Sequence, residues 1–206
     1  LRLSFTRLIR ALASSISGHA RHRVLYSVPF KPYTHDRPRV LHAIANLHVG
    51  GSTQLIFDLC RDLGARYDMR IITGALPPEG THKGVKVTHV PHGAASRHMQ
   101  RVVAAHRPDI LHLHYWGEGD TTWYEAVLQA GKALGLTIVQ NVNTPVAPIR
   151  DPAVAFTIFV SHYVHETFGA GIEPSAVIHP GIELGRFEAP HSFDDDALRS
   201  IGMVYR

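Results

Sequence analysis

The chain has 206 residues, of which 45% are hydrophobic and 18% are charged, a composition typical of a globular protein and not of a disordered one. Its single cysteine, Cys60, excludes a disulfide framework and every zinc motif built from several cysteines. No apolar run approaches the ~18 residues of a membrane-spanning helix, so none is predicted.

The net charge of +4 is unevenly distributed. Residues 1–35 contain six basic residues and no acidic one, whereas residues 36–206 contain 15 basic and 17 acidic residues. A nucleic-acid-binding domain concentrates Lys and Arg on its folded body, so we expect no nucleic-acid partner.

Apolar residues recur at helical spacing through residues 1–16, with arginines between them that interrupt the apolar core of a signal peptide. Two interpretations remain open. The segment is a helix or linker, or it is an amphipathic helix that rests on an anionic membrane surface. The second interpretation predicts a cytoplasmic protein that associates peripherally with the inner face of the membrane.

From residue 38 onward, apolar strand patterns alternate with helical patterns. Strands are predicted at residues 40–45, 69–73, 85–90, 110–115, 137–142, 156–160 and 176–179. Helices are predicted at residues 52–63, with Ser52 as N-cap, and at 96–106, 121–134 and 162–168. This alternation predicts an α/β fold with a doubly wound, mostly parallel, Rossmann-like sheet.

The expected organisation is a basic leader or linker at 1–37, a Rossmann-like domain at 38–190, and a linker with the start of a second domain at 191–206. The first residue is Leu1 rather than Met, and residues 201–206 are typical of the beginning of a strand. We therefore expect the chain to be a piece of a longer protein.

A glycine loop, Gly50-Gly51-Ser52, separates the first strand from the first helix. Glycines allow a positive φ and a close approach of ligand to backbone, and the helix start behind them favours a phosphate group. A purely structural turn is the alternative. The loop lacks the Lys of a Walker motif, and it lacks both the glycine spacing and the later acid of a dinucleotide-binding motif.

Four segments carry a family resemblance. They are residues 48–51 with the helix end at 60–63, residues 107–114 (RPDILHLH), residues 159–161 (FVS), and residues 177–183 (VIHPGIE) followed by Arg186 and Phe187. In this order they resemble motifs in the N-terminal half of family 4 glycosyltransferases, which have the GT-B fold.

The resemblance implies a retaining enzyme that transfers a sugar from a nucleotide-sugar donor to a polysaccharide or lipid-linked acceptor, without a metal or other cofactor. The N-terminal domain would shape the acceptor site, with Gly50, Gly51 and Ser52 near the donor phosphates. The second domain would hold the nucleotide, so this chain alone is expected to be inactive. The catalytic residues are not assigned.

The chain departs from the family pattern at one position that matters for chemistry. Asn143 stands where the family commonly has a His near the reacting sugar; it can donate a hydrogen bond but cannot act as a base. Pro180 and Glu183 replace the usual Asn and Asp of the last motif.

The predicted acceptor or sugar site comprises His114, Trp116, Asn143 and Thr144. His112 and His114 share one face of a strand, but the sequence offers no motif that supplies a third metal ligand, so no metal site is predicted. Two other classes remain as alternatives: a non-catalytic module for a phosphorylated or nucleotide ligand, and a metal-binding protein.

Overall fold

Strands and helices alternate through residues 37–76 and 84–181, which are the residues that the computed structural model describes. The strands are β1 (Arg39–Ile44), β2 (Asp68–Thr73), β3 (Lys86–His89), β4 (Ile110–Tyr115), β5 (Thr137–Val142), β6 (Val154–Phe159) and β7 (Ser175–Val177). The helices are α1 (Gly51–Leu63), α2 (Ser96–His106), α3 (Thr121–Ala133) and α4 (His162–Phe168), with a short 3-10 turn at Glu118–Asp120.

All the strands and helices predicted from the sequence are present, and α2, β4, β5 and α4 have the predicted bounds. The prediction of Ser52 as N-cap is wrong. Gly51 is already helical, so Gly50 occupies the cap position, where no side chain caps the helix. The strand predicted to begin at residue 156 instead begins at Val154.

The described strands form one seven-stranded sheet in the order β3-β2-β1-β4-β5-β6-β7, and every neighbouring pair is parallel. The predicted Rossmann-like fold class is therefore confirmed. Because β1 lies between β2 and β4, the winding direction reverses there, and the crevice at the carboxyl ends of β1 and β4 is where such sheets bind ligands.

Helices cover both faces of the sheet. On one face, Leu59 and Leu63 of α1 pack against Val40 and Ile110, and the sheet residues beside them are also apolar. On the other face, side chains of α2 and α3, including Val127, form the largest core cluster with β1, β4 and β5. Burial on both faces explains why the strands are almost continuously apolar.

Three predictions fall outside the described residues: the leader at 1–37, of which the structure describes residue 37 alone, the domain limit at 190, and the linker with a strand start at 191–206. Within residues 37–76 and 84–181, no helix is long and apolar enough to cross a membrane.

Candidate functional site

A cleft of about 440 Å³ opens at the carboxyl ends of β1, β4 and β5, next to the point where the sheet reverses its winding. It is lined by six of the seven site residues predicted from the sequence: Gly50, Gly51, Ser52, Trp116, Asn143 and Thr144. Segments that are almost 100 residues apart in the chain therefore meet in one cavity. Another cavity, of about 320 Å³, lies near Arg150 and Glu173, which precede β6 and β7 in the chain.

The glycine loop leaves open space on one side of the cleft. Gly50 has an extended backbone (φ 174°, ψ 168°), so the positive φ allowed for in the sequence analysis is not needed at this position. A Cβ atom added to Gly51 would meet no atom within 4 Å. The first turn of α1 has no acidic residue and no side-chain cap, so its N-terminal amides and the positive end of the helix dipole are suited to an anion.

The opposite side of the cleft is held by contacts between the ends of β4 and β5. The Thr144 hydroxyl donates a hydrogen bond to the Trp116 backbone carbonyl (2.7 Å). The backbone N–H of Asn143 donates one to the Tyr115 backbone carbonyl (2.9 Å). The Asn141 side-chain amide donates to Asn143 Oδ1, whereas the buried Nδ2 of Asn143 has no hydrogen-bond partner. This donor is unpaired but buried, so an oxygen of a ligand reaches it only when the Asn143 side chain turns toward the cleft.

The described residues that line the cleft include no Lys, Arg, Asp or Glu. His48, on the glycine loop, is the titratable side chain among them, and it is exposed. The polar residues of the cleft can hydrogen-bond to hydroxyl groups, and the indole of Trp116 can pack against the apolar face of a ring. These residues provide no carboxylate base.

His114 is the predicted site residue that does not line the cleft. Its ring is fully buried (0% exposed) on the face of the sheet that α1 covers, so the predicted sugar contact does not fit this geometry. His114 Nε2 lies 3.0 Å from His42 Nδ1 on the neighbouring strand, in a hydrogen bond. His42 could not be predicted as a neighbour of these histidines, because only the strand register places it opposite His112.

Burial keeps these three imidazoles neutral. It lowers the pKa of His112 to about 4 and holds the pKa values of His42 and His114 well below the usual range; repulsion from neighbouring His rings adds to the effect for His42 and His114. Neutral imidazole is the form that accepts a hydrogen bond or coordinates a metal.

Comparison with known proteins gives two kinds of likeness, although no protein-family profile matches the chain. The chain is 26% identical to D-inositol 3-phosphate glycosyltransferases of Streptomyces scabiei and Streptomyces coelicolor. Each alignment covers 71% of this chain but only 43% and 42% of the relatives, so the chain spans less than half of their length.

The solved structures give a likeness of fold. A crystal structure of a candidate UDP-N-acetylglucosamine 2-epimerase from Listeria monocytogenes matches with a TM-score of 0.51 and 12% sequence identity. The match covers 68% of this chain and 44% of that one. At this identity the match supports the Rossmann-like architecture alone.

Proposed function

We propose that the chain is the N-terminal, acceptor-side domain of a retaining glycosyltransferase that resembles family 4. The whole enzyme would transfer a sugar from a nucleotide-sugar donor to a glycan or lipid-linked acceptor. The observation that carries the proposal is the meeting of the glycine loop with Trp116, Asn143 and Thr144 in one cleft at the reversal point of the sheet. The sugar-transferring relatives named above support the same class of reaction.

The composition of the cleft fits one half of a two-domain site. A donor pyrophosphate needs more positive charge than this cleft offers, so a second domain would bind most of the nucleotide. The N-terminus of α1 would contribute ~0.3–1 kcal/mol to an exposed anion, and more as charge builds up on the leaving phosphate. The small residues Gly50 and Gly51 would let that phosphate come close to the backbone.

The acceptor group bound here is expected to carry several hydroxyls. A rotation of the Asn143 side chain would let Nδ2 donate to one hydroxyl, and the indole of Trp116 offers an apolar surface for a ring. The relatives are named for D-inositol 3-phosphate, which combines such a ring with a phosphate. Because the lining residues include no Lys or Arg, we expect the ring hydroxyls to contribute more than the phosphate to binding in this cleft.

Saturation-transfer NMR on the full chain tests this proposal. The probes are myo-inositol, D-inositol 3-phosphate and UDP-glucose, each at millimolar concentration. We expect transfer to the inositol ring, and a loss of at least half of it in Asn143→Ala. Gln100→Ala, which truncates an exposed amide on α2, is the control and should leave the transfer unchanged.

Two outcomes would count against the proposal. Hydrolysis or transfer of a nucleotide sugar by residues 1–206 alone would show that these residues themselves contain the donor site. Tight binding of UDP with no contact to either inositol would favour the non-catalytic nucleotide-binding module instead.

We also propose that residues 1–16 hold the protein peripherally at the cytoplasmic, anionic face of a membrane. Sedimentation with phosphatidylserine vesicles, compared with phosphatidylcholine vesicles and with a chain lacking residues 1–16, tests this. Equal sedimentation of the two chains with the anionic vesicles would refute it.

A further inference from the structure

Three histidine rings meet in the core beneath the cleft. His42 lies on β1, opposite His112 on β4, and His114 lies two residues farther along β4 on the same face. The rings are 0%, 3% and 0% exposed. One ring nitrogen from each of the three lies within 4.8 Å of the others.

The hydrogen bonds of this cluster are incomplete. The bond between His42 Nδ1 and His114 Nε2 leaves three buried nitrogens without a partner: His42 Nε2, His112 Nε2 and His114 Nδ1. A buried polar atom without a partner destabilises a fold. The same sheet face is otherwise apolar at the preceding positions, Val40 and Ile110, so the three imidazoles are unexplained by packing alone.

We propose that His42, His112 and His114 bind one divalent transition-metal ion, with Zn²⁺ as the natural occupant. Three imidazoles at Zn–N distances of about 2.0–2.1 Å would place their nitrogens about 3.3 Å apart in a tetrahedral site. The ion would replace the proton shared by His42 Nδ1 and His114 Nε2, whose separation of 3.0 Å is already close to that value, and small rotations would bring in the His112 ring.

A fourth ligand has room beside the cluster. A cavity of about 10 Å³ lies next to His112 and Asn141 under α1. That volume is about the size needed for one water molecule. A bound hydroxide there would reduce the net charge that the ion brings into the core.

Such an ion would join β1 to β4 directly below the cleft and would stabilise the fold rather than take part in sugar transfer. Because the rings are shielded from solvent, the ion would enter while the chain folds. This inference goes beyond the proposed function and does not depend on it.

The test is to unfold the full chain in urea with EDTA, remove the chelator, and refold it with or without Zn²⁺ or Co²⁺. We expect one tightly held metal ion per chain after desalting and a visible d–d spectrum of tetrahedral Co²⁺. At a free Zn²⁺ concentration 100-fold above the Kd, the urea midpoint should rise by roughly 1 M.

The chain has 16 histidines, so matched variants are needed to show which of them bind the metal. His42→Leu removes one ligand and should abolish the retained metal, the cobalt spectrum and the urea shift. His98→Gln, at an exposed position of α2, should keep all three. Circular dichroism checks that His42→Leu is folded, and His112→Leu replaces it if it is not.

Metal content well below one ion per chain after refolding with Zn²⁺ would overturn the proposal. An equal response of wild type and the folded leucine variant would also overturn it, because surface imidazoles would then be the ligands.

Discussion

The phenolic hydroxyl of Tyr124 donates a 2.6 Å hydrogen bond to the backbone carbonyl of His114. The same oxygen accepts a hydrogen bond from the backbone amide of Ala45, at 3.1 Å. Ala45 follows β1 and His114 lies near the end of β4, so one side chain of α3 joins the two strands where the sheet reverses its winding. Burial raises the pKa of the Tyr124 hydroxyl, which keeps it protonated and able to donate.

Replacing this hydroxyl should weaken the fold without changing its core. Tyr124→Phe keeps the ring and its edge-to-face contact with Tyr115 but leaves the Ala45 amide and the His114 carbonyl without this partner. We expect a loss of about 1–3 kcal/mol in the free energy of unfolding, measured by urea denaturation. An unchanged free energy would show that other groups or water satisfy both backbone atoms.

Gln140 should control the segment that follows the cleft residues Asn143 and Thr144. Its buried side chain accepts a hydrogen bond from the amide of Ile149 and donates to the Ile149 carbonyl and to the Thr157 hydroxyl. Gln140→Leu preserves the size of the side chain but removes these bonds, and we expect it to cost about 2 kcal/mol of stability.

Hydrogen exchange would locate the effect of that substitution. The Ile149 amide should exchange faster in Gln140→Leu, whereas Gln100→Leu, at an exposed position of α2, should leave it protected. If Ile149 exchanges equally in the two variants, Gln140 does not hold this segment in place.

Gly74 is expected to tolerate no side chain. A Cβ atom there would lie 2.7 Å from the Ala45 carbonyl oxygen and would also contact the ring of His92, which hydrogen-bonds to that carbonyl. Gly74→Ala should therefore cost about 1–3 kcal/mol, because backbone at the end of β1 must shift. Gly119→Ala, whose Cβ would meet no atom within 4 Å, is the matched control and should change stability by less than about 0.5 kcal/mol in urea denaturation.

The sequence predicted the order of strands and helices because hydrophobic periodicity and chain breakers are local features. The strand Ile110–Tyr115, for example, begins two residues after Pro108 and is rich in apolar residues. The cleft was predictable from these elements and from the topology of a parallel sheet. Once the sheet is parallel, residues after β1, β4 and β5 must meet at one edge.

The histidine cluster was not predictable from local patterns. His42 and His112 are 70 residues apart, and only the pairing register of β1 and β4 sets them opposite each other. The sugar contact predicted for His114 does not fit the structure for a related reason. β4 continues to Tyr115, and α1 covers the face on which His114 lies, so a position near a strand end is still in the core.

The buried histidines should make the stability of the metal-free protein depend on pH. The pKa of His112 is lowered to about 4, and those of His42 and His114 are also lowered, whereas an unfolded chain has His pKa values near 6.5. Between about pH 6.5 and 4, the unfolded state therefore binds more protons than the folded state. Stability is fully present above about pH 6.5 and falls as the pH is lowered through this window, by up to ~1.4 kcal/mol per pH unit for each such histidine.

Urea denaturation in EDTA at about pH 7.5, 6.5, 5.5 and 4.5 measures how the free energy of unfolding changes with pH. These values cover the pH range in which the unfolded chain takes up protons on its histidines. His42→Leu removes one of the groups that protonate on unfolding, so its slope should be shallower than that of the wild type by up to ~1.4 kcal/mol per pH unit. His98→Gln, at an exposed position, should keep the wild-type slope. Equal slopes in wild type and His42→Leu would mean that His42 is protonated in the folded state, which requires the ring to reach water.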